Sequence, residues 1–473
     1  MAATDRLEEI TGEPDTGIRP IPDSHRRLRE LDFAVLWGDL GVGMLVIVAG
    51  ALLVPALGLG QALLAIVVGS VLGCIPLAMV SAAGAREGVP TMVLLRPVLG
   101  IRGSYAPTVL NVAQLVGWTA FELWAMALIA SRVTGPLFGV ESFWIWLVVA
   151  TVLSLALSLG GPVLVVRRWM ERFGVWVIGA VALWLTIRLF AESDLGAIWS
   201  RPGQGGFPTF WQGVDLAIAL PISWLPLVAD YSRFARRGVS SARGTFAGYL
   251  IANVWLYAIG ALLVLAGGVT PFPGPAAVGE GILALAGGAV VLLALLVGET
   301  DEAFADIYSA AVSARNAAPR VSQRTLVVLV AAIGAGLATW LFQQPDEGVR
   351  TYESFLFLIG SVFVSLAGVF VADYFALGRR GYDEDDLFEA RGKRIARGVR
   401  VDSVVAWLLG FAAFQWVFPT GPDWWVSLVG RLVGSPLFDG GFSASVVGFG
   451  VAFVAAAALG VALRRRGAPG AER

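Results

Sequence analysis

Histidine, cysteine and lysine each occur once in this 473-residue chain, as His25, Cys74 and Lys393. A single histidine argues against a Ser-His-Asp triad and histidine-rich metal sites. A single cysteine, set in an apolar run, allows neither a disulfide framework nor a cysteine zinc site. Charge is scarce as well: 15% of residues are charged, where a soluble domain carries about 25%. The formal net charge of −1 leaves no basic surface for nucleic acid. Alternating strand patterns with turn signals are missing, which excludes a β-barrel. The first 32 residues are polar and charged, with no apolar core and no small-residue cleavage site, so they do not read as a signal peptide.

What is abundant is apolar: 57% of residues are hydrophobic and the mean hydropathy is +0.75. A bilayer core of about 30 Å needs roughly 20 apolar residues per helix. Twelve segments qualify, at 33–57, 62–85, 104–130, 142–163, 173–191, 212–234, 246–268, 281–311, 325–342, 352–376, 402–419 and 442–463. They are numbered spans 1 to 12, and the fold class expected is an all-α polytopic membrane protein. Cytoplasmic loops carry the Lys/Arg excess. With the N-terminus inside, the inner segments hold 29 of the 34 basic residues and the outer loops 5, namely Arg132, Arg188, Arg201, Arg350 and Arg431. That asymmetry predicts a multi-pass protein of the inner (plasma) membrane with both termini cytoplasmic.

Two spans are built to break. Span 1 crowds Gly38, Gly41 and Gly43 around Asp39, and span 6 carries Pro221 and Pro226. Freed backbone groups at membrane depth must line a cavity or find protein partners. Interrupted helices at matching positions of two halves mark the binding site of inverted-repeat transporters. The organisation expected is a cytoplasmic tail (1–32), a ten-helix core (33–376) of two inverted five-helix repeats (33–191 and 212–376), a charged loop (377–401), two accessory helices (402–463) and a second tail (464–473).

Polar residues at membrane depth are functional candidates, because burying them in lipid is costly. In span 3, Asn111, Gln114, Trp118 and Glu122 fall on one stripe at about 100° per residue. They face either a substrate or a neighbouring helix to which they hydrogen-bond. Span 8 contains "GETDEAFAD", in which Glu299, Glu302 and Asp306 share a face and Thr300 and Asp301 lie off it. Four acids so close cannot all be ionised in a dry site; they are protonated, hydrated or paired with a cation. Alternatively span 8 ends near Gly298 and leaves them in an outer vestibule. Asp215, Asp230 and Asp373, near the ends of spans 6 and 10, read as interfacial or stabilising groups.

Several stretches carry a family resemblance. They are "REGVPTMVLLRPVLGIRGS" between spans 2 and 3, the "GW" of span 3 with a polar residue one turn later, "ADYSRFARR" closing span 6, and "ESFLFLIGSVFVSLAGVFVADYF" in span 10. In order and spacing the chain resembles the nucleobase–cation symporter family 1, the cytosine, purine, uracil, allantoin and hydantoin permeases. "LNVAQLVGWTAFELWAMA", "PISWLPLVADYSRF" and "DIYSAAVSA" are most similar to hydroxymethylpyrimidine permeases linked to thiamine salvage. The resemblance implies a transporter rather than an enzyme, working as a monomer in the bilayer without nucleic acid. No cofactor or metal is implied beyond sodium or a proton as coupling ion. By the same resemblance, Trp118 stacks on the ring, Glu122 and Gln114 supply polar contacts, and Trp224 forms a second aromatic wall. Asp306 stands where the family often has Asn. Val42 and Leu45 of span 1, with Thr300 and Asp301 of span 8, fall at the coupling-ion positions. Val46 replaces a frequent Gln or Glu, Ser365 replaces a common Pro, and Asp301 interrupts the hydroxyl pair of sodium-coupled members.

These residue types suit an aminopyrimidine. Trp offers a flat face, and an aromatic–base stack contributes about 1–3 kcal/mol. A protonated carboxyl places a donor beside an acceptor, complementary to an exocyclic amine next to a ring nitrogen. Hydroxymethylpyrimidine, cytosine and adenine present that edge; the imide-like uracil and hydantoin do not.

Overall fold

The computed structural model describes residues 17–161, 165, 170, 173–267, 269, 274–378, 381–388 and 398–466. The distal parts of both tails, 1–16 and 467–473, and the stretch 389–397 of the charged loop, with Lys393, lie outside the described residues. Each of the twelve expected segments falls on a helix, and the described residues contain no strand, only an isolated bridge between Leu28 and Ala235. Among the described residues nine helices are long and apolar enough to cross a membrane, and a tenth crossing comes from a bent pair. Two expected segments differ in character. Span 8 is a 30-residue helix, Gly288–Ala317, interrupted in polarity by its acids, and the eleventh is a 17-residue helix, Val401–Val417. Residues 281–284, assigned to span 8 on hydropathy, belong instead to a short separate helix, Pro275–Ala284; Leu285 is extended and Gly287 adopts φ +84° before span 8 starts.

Both expected breaks are present. Span 1 is a helix Glu30–Asp39 and a helix Met44–Ala51, inclined at 63° to each other. Span 6 runs as Phe210–Trp224, passes through a 3₁₀ turn Leu225–Leu227 and resumes at Val228–Ser232. Pro226 explains the second break, since it has no N–H to give to the preceding turn. The two broken spans pack reciprocally: span 1 lies along span 7 (Gly238–Leu265), and span 6 along span 2 (Leu59–Glu87). Exchanging spans 1 and 2 with 6 and 7 maps one contact onto the other, which is what two inverted repeats require. Gly260 lets span 7 close on span 1, because a Cβ there would strike the Ile47 carbonyl.

Burial separates core from periphery. The span 6 window is 94% buried, whereas spans 4 (Phe143–Gly160) and 5 (Val175–Glu192) are each 28% buried and expose Trp144, Val148, Trp176, Leu183 and Ile187. An apolar exterior over a polar-lined interior is the arrangement of a helix bundle in lipid. At one end, Leu28 bonds the backbone of Phe234 and Arg236, Ile21 bonds Gly88, and Arg102 bonds Gly398. The N-terminal segment therefore shares a face with the loops after spans 2, 6 and 10.

Candidate substrate site

The cavity forms where the broken spans meet spans 3 and 8. After Asp39 the chain unwinds, Gly43 is extended (φ −143°, ψ 168°), and a new helix starts at Met44. The N-terminus of that half-helix presents free N–H groups and a partial positive charge. Glu299 accepts the Met44 N–H. Gly43 is small enough for the acids to approach; a Cβ there would lie 2.5 Å from Glu302 Oε1 and 2.8 Å from Glu299 Oε1. Leu40, Leu45, Val46, Trp118, Glu122, Leu220, Trp224, Tyr249, Glu302 and Asp306 line the enclosed space. The cavity they line is small, about 10 Å³, room for about one water. A ring must part the walls to enter.

The span 3 stripe divides into two roles. Span 3 is the helix Tyr105–Phe138. Trp118 and Glu122 line the cavity. Gln114, expected among the substrate contacts, is placed outside that lining: its amide donates to the Ser223 carbonyl (2.9 Å) and to Asn111 Oδ1 (2.7 Å). Asn111 in turn reaches Ser313 Oγ at 2.8 Å and the Pro226 carbonyl at 3.5 Å. These amides serve the carbonyls that the break in span 6 sets free, and sequence spacing alone does not separate the two roles. Trp224, at the C-terminal end of the first half of span 6, forms the second wall and meets Trp37 edge-on with centroids 5.8 Å apart. Trp118 is held edge-on by Tyr352 (6.0 Å) and Phe355 (5.3 Å) of span 10, Arg350–Leu377. Val46, where relatives often carry an amide or acid, lies in the lining and makes that part of the wall apolar.

Span 8 does not end at Gly298. Its acids sit midway along the helix and are buried: Glu299 and Asp301 at 0% exposure, Glu302 at 4% and Asp306 at 2%. Glu122 meets both Glu299 and Glu302, carboxyl to carboxyl. One oxygen from each of these three residues lies within 4.8 Å of the others.

The four expected coupling-ion positions each meet a neighbour within the bundle. Thr300 Oγ1 donates to the Leu296 carbonyl of its own helix (2.8 Å) and faces Met126. The Leu45 carbonyl accepts the Tyr352 hydroxyl at 2.8 Å. The Val42 carbonyl abuts Gly298. Asp301 instead meets Asp39, at the end of the first half of span 1, and a Cβ on Gly174 would lie 3.2 Å from both carboxyls. Asp39, Tyr249 and Tyr352 meet these acids and were not selected by the sequence reading; the Gly-rich break beside Asp39 was the available signal.

The remaining aspartates have structural partners. Asp215 caps span 12 (Ala444–Arg466), accepting from Ser443 Oγ (2.5 Å) and the N–H groups of Ala444 (2.9 Å) and Ser445 (3.0 Å). Asp230 accepts from Thr91 N–H at 3.1 Å, and Asp373 pairs with Arg400 at 2.6 Å. Ser365 donates to the Ser361 carbonyl at 2.9 Å.

Two broken helices around an aromatic and acidic cavity are the arrangement of a secondary transporter's binding site. Residues 20–459 match the sequence profile of the permeases for cytosine/purines, uracil, thiamine and allantoin, and the chain belongs to that family. Relatives include a hydantoin permease of Microbacterium maritypicum, 24% identical over 82% of this chain and 81% of that protein. An allantoin permease of Bacillus subtilis is 25% identical over 83% and 84%, and the cytosine permease of Escherichia coli K12 is 23% identical over 75% and 78%. In fold the chain is similar to the nucleobase-cation-symport-1 family transporter Mhp1 in a closed conformation with bromovinylhydantoin bound. The TM-score is 0.77 and the identity 19%, with 96% of each chain covered.

Proposed function

We propose that this permease imports an aminopyrimidine, hydroxymethylpyrimidine or cytosine, by alternating access coupled to protons or sodium. The observation that carries the reading is the meeting of Trp118, Trp224 and Glu122 at one enclosed cavity. Two indoles supply a stacking slot, and a carboxyl one turn from Trp118 supplies the polar edge. The polar partner matters more for selectivity than the slot does, because every heterocycle has a π-face, whereas an amine beside a ring nitrogen pairs with both oxygens of a protonated carboxyl. The hydantoin and allantoin permeases among the relatives support a second reading, an imide-type ring. The Asp39–Asp301 contact supports proton coupling, because two buried carboxyls at hydrogen-bond range share a proton or a cation. We place both termini in the cytoplasm of a monomer in the plasma membrane, on the strength of the 29-to-5 distribution of basic residues.

The test is uptake of radiolabelled hydroxymethylpyrimidine, cytosine, adenine and hydantoin into proteoliposomes under separate sodium and proton gradients. Saturable uptake of an amino-substituted ring, with hydantoin a poor competitor, supports the proposal. Uptake of hydantoin alone replaces the aminopyrimidine with an imide. Strict sodium dependence, indifferent to a pH gradient, removes the proton preference.

A further inference from the structure

Among the described residues the acids at the cavity have no basic counterpart. Tyr249 of span 7, Tyr352 of span 10, Asp306 of span 8 and Asp39 of span 1 surround the Glu122–Glu299–Glu302 triad, and none of them is cationic. The buried arginines are engaged elsewhere. Arg96 donates to Asn316 and the Leu387 carbonyl, and Arg233 to the carbonyls of Asp230 and Gly17 and to the Tyr308 hydroxyl. The Met44 N–H serves one oxygen of Glu299. Glu122 Oε2, Glu299 Oε2 and Glu302 Oε1 are buried and accept no hydrogen bond from the described residues. An independent sign of a missing ligand is the indole N–H of Trp118: it is buried in the same cavity wall, 6% exposed, and has no acceptor among the described residues.

We infer that the triad receives a positive charge carried by the substrate ring, so that the permease takes amidinium-type heterocycles in preference to neutral rings of similar shape. The inference rests on the reading of this cavity as the substrate site. An amidinium aligns a ring N–H and an exocyclic amine with the two oxygens of a carboxylate, and such charge-assisted paired bonds are about twice as strong as neutral ones. Trp faces attract organic cations further. A neutral aminopyrimidine reaches the same state by accepting the triad's proton: the O–H bond breaks as the ring N–H bond forms, and the total charge of the site is unchanged.

An inorganic ion suits the geometry less well. Hard cations collect six or more oxygens, yet the Leu45 carbonyl is taken by Tyr352 and the Met44 N–H points into the acids. Glu122 and Glu302 also line a cavity walled in part by Trp118 and Trp224 rather than by further oxygen ligands.

Two probes of similar shape separate the ideas: 2-aminoimidazolium, which shares its charge between ring N–H and exocyclic amine at neutral pH, and 2-imidazolone, which is neutral and has no basic ring nitrogen. Their binding, and that of hydroxymethylpyrimidine, is measured on the full chain in lipid nanodiscs, with and without sodium. The charged probe should bind at least about tenfold tighter than the neutral one. In Glu302→Gln the preference for the charged probe over the neutral one should fall below about threefold. Glu299→Gln repeats the test if the first variant melts early. Equal binding of the two probes overturns this inference and leaves the permease reading intact. Sodium that strengthens the neutral probe and competes with the charged one also overturns it, and assigns the triad to an inorganic ion. If none of the three rings binds, the aminopyrimidine reading fails and takes the inference with it.

Discussion

Trp118 stands in two roles at once, as a cavity wall and as a member of an aromatic cluster with Phe121, Tyr352 and Phe355 at 6.5, 6.0 and 5.3 Å. Truncation to Ala confounds them, because removing a buried Trp costs about 3–5 kcal/mol of stability, a large share of the 5–15 kcal/mol typical of a folded domain. Trp118→Phe separates them. The six-membered ring retains edge contacts of about 0.5–1.5 kcal/mol each but loses roughly half of the indole face. If stacking contributes about 1–3 kcal/mol, the loss is about 1 kcal/mol, or roughly fivefold in Kd. Phe355→Leu supplies the control: it removes the 5.3 Å neighbour of Trp118 from a position outside the cavity lining. Its affinity should remain within about twofold of wild type while its melting temperature falls. Both variants are assayed in nanodiscs with radiolabelled hydroxymethylpyrimidine and cytosine, alongside thermal unfolding. Equal loss of affinity in the two variants would refute the stacking role and leave Trp118 a packing residue.

Glu122→Gln should retain substrate binding within about tenfold, roughly 1.4 kcal/mol, with a flatter pH dependence. Glu122→Leu should bind worse than Gln, because unsatisfied buried groups cost about 1–3 kcal/mol; Leu binding like wild type would remove Glu122 from the substrate contacts. Asp215→Ala strips Ser443, Ala444 and Ser445 of a shared acceptor and should cost at least about 1.5–3 kcal/mol of stability, the contribution of a single bond to a charged group. Its substrate affinity should not change, and thermal unfolding beside a binding isotherm checks both halves. A cysteine introduced near Gly205 should be labelled by an impermeant reagent in intact cells and one near Arg391 should not; the opposite pattern would invert the orientation.

The architecture was legible because bilayer thickness imposes its own period: roughly 20 apolar residues cannot be hidden in a sequence, and neither can Gly38, Gly41 and Gly43 in span 1 or Pro221 and Pro226 in span 6. The one clear failure in placing a span has the same cause. The apolar run through residues 281–297 looks continuous to hydropathy, which is blind to the extended backbone of Leu285 and the positive φ of Gly287 that end one helix before span 8 begins.

The site was legible only as far as one helix could show it. Periodicity put Asn111, Gln114, Trp118 and Glu122 on one face, and they do share a face. What it lacked was the partner surface: Asn111 and Gln114 meet the unwound carbonyls of span 6, while Trp118 and Glu122, one and two turns on, meet the cavity. Asp39 and Asp301 are separated by 262 positions in the numbering and touch only because span 1 breaks one residue after Asp39. Glu302 fits against the start of the second half-helix only because Gly43 has no side chain. Each of these contacts depends on a discontinuity in one helix meeting an acid on another. A sequence reading that finds breaks and acids separately can therefore narrow the site to the right spans, but the pairing needs the three-dimensional fold. In this chain that pairing converts a row of costly acids in span 8 into two distinct clusters, one facing the substrate cavity through Glu122 and Glu302 and one joining span 1 to span 8 through Asp39 and Asp301.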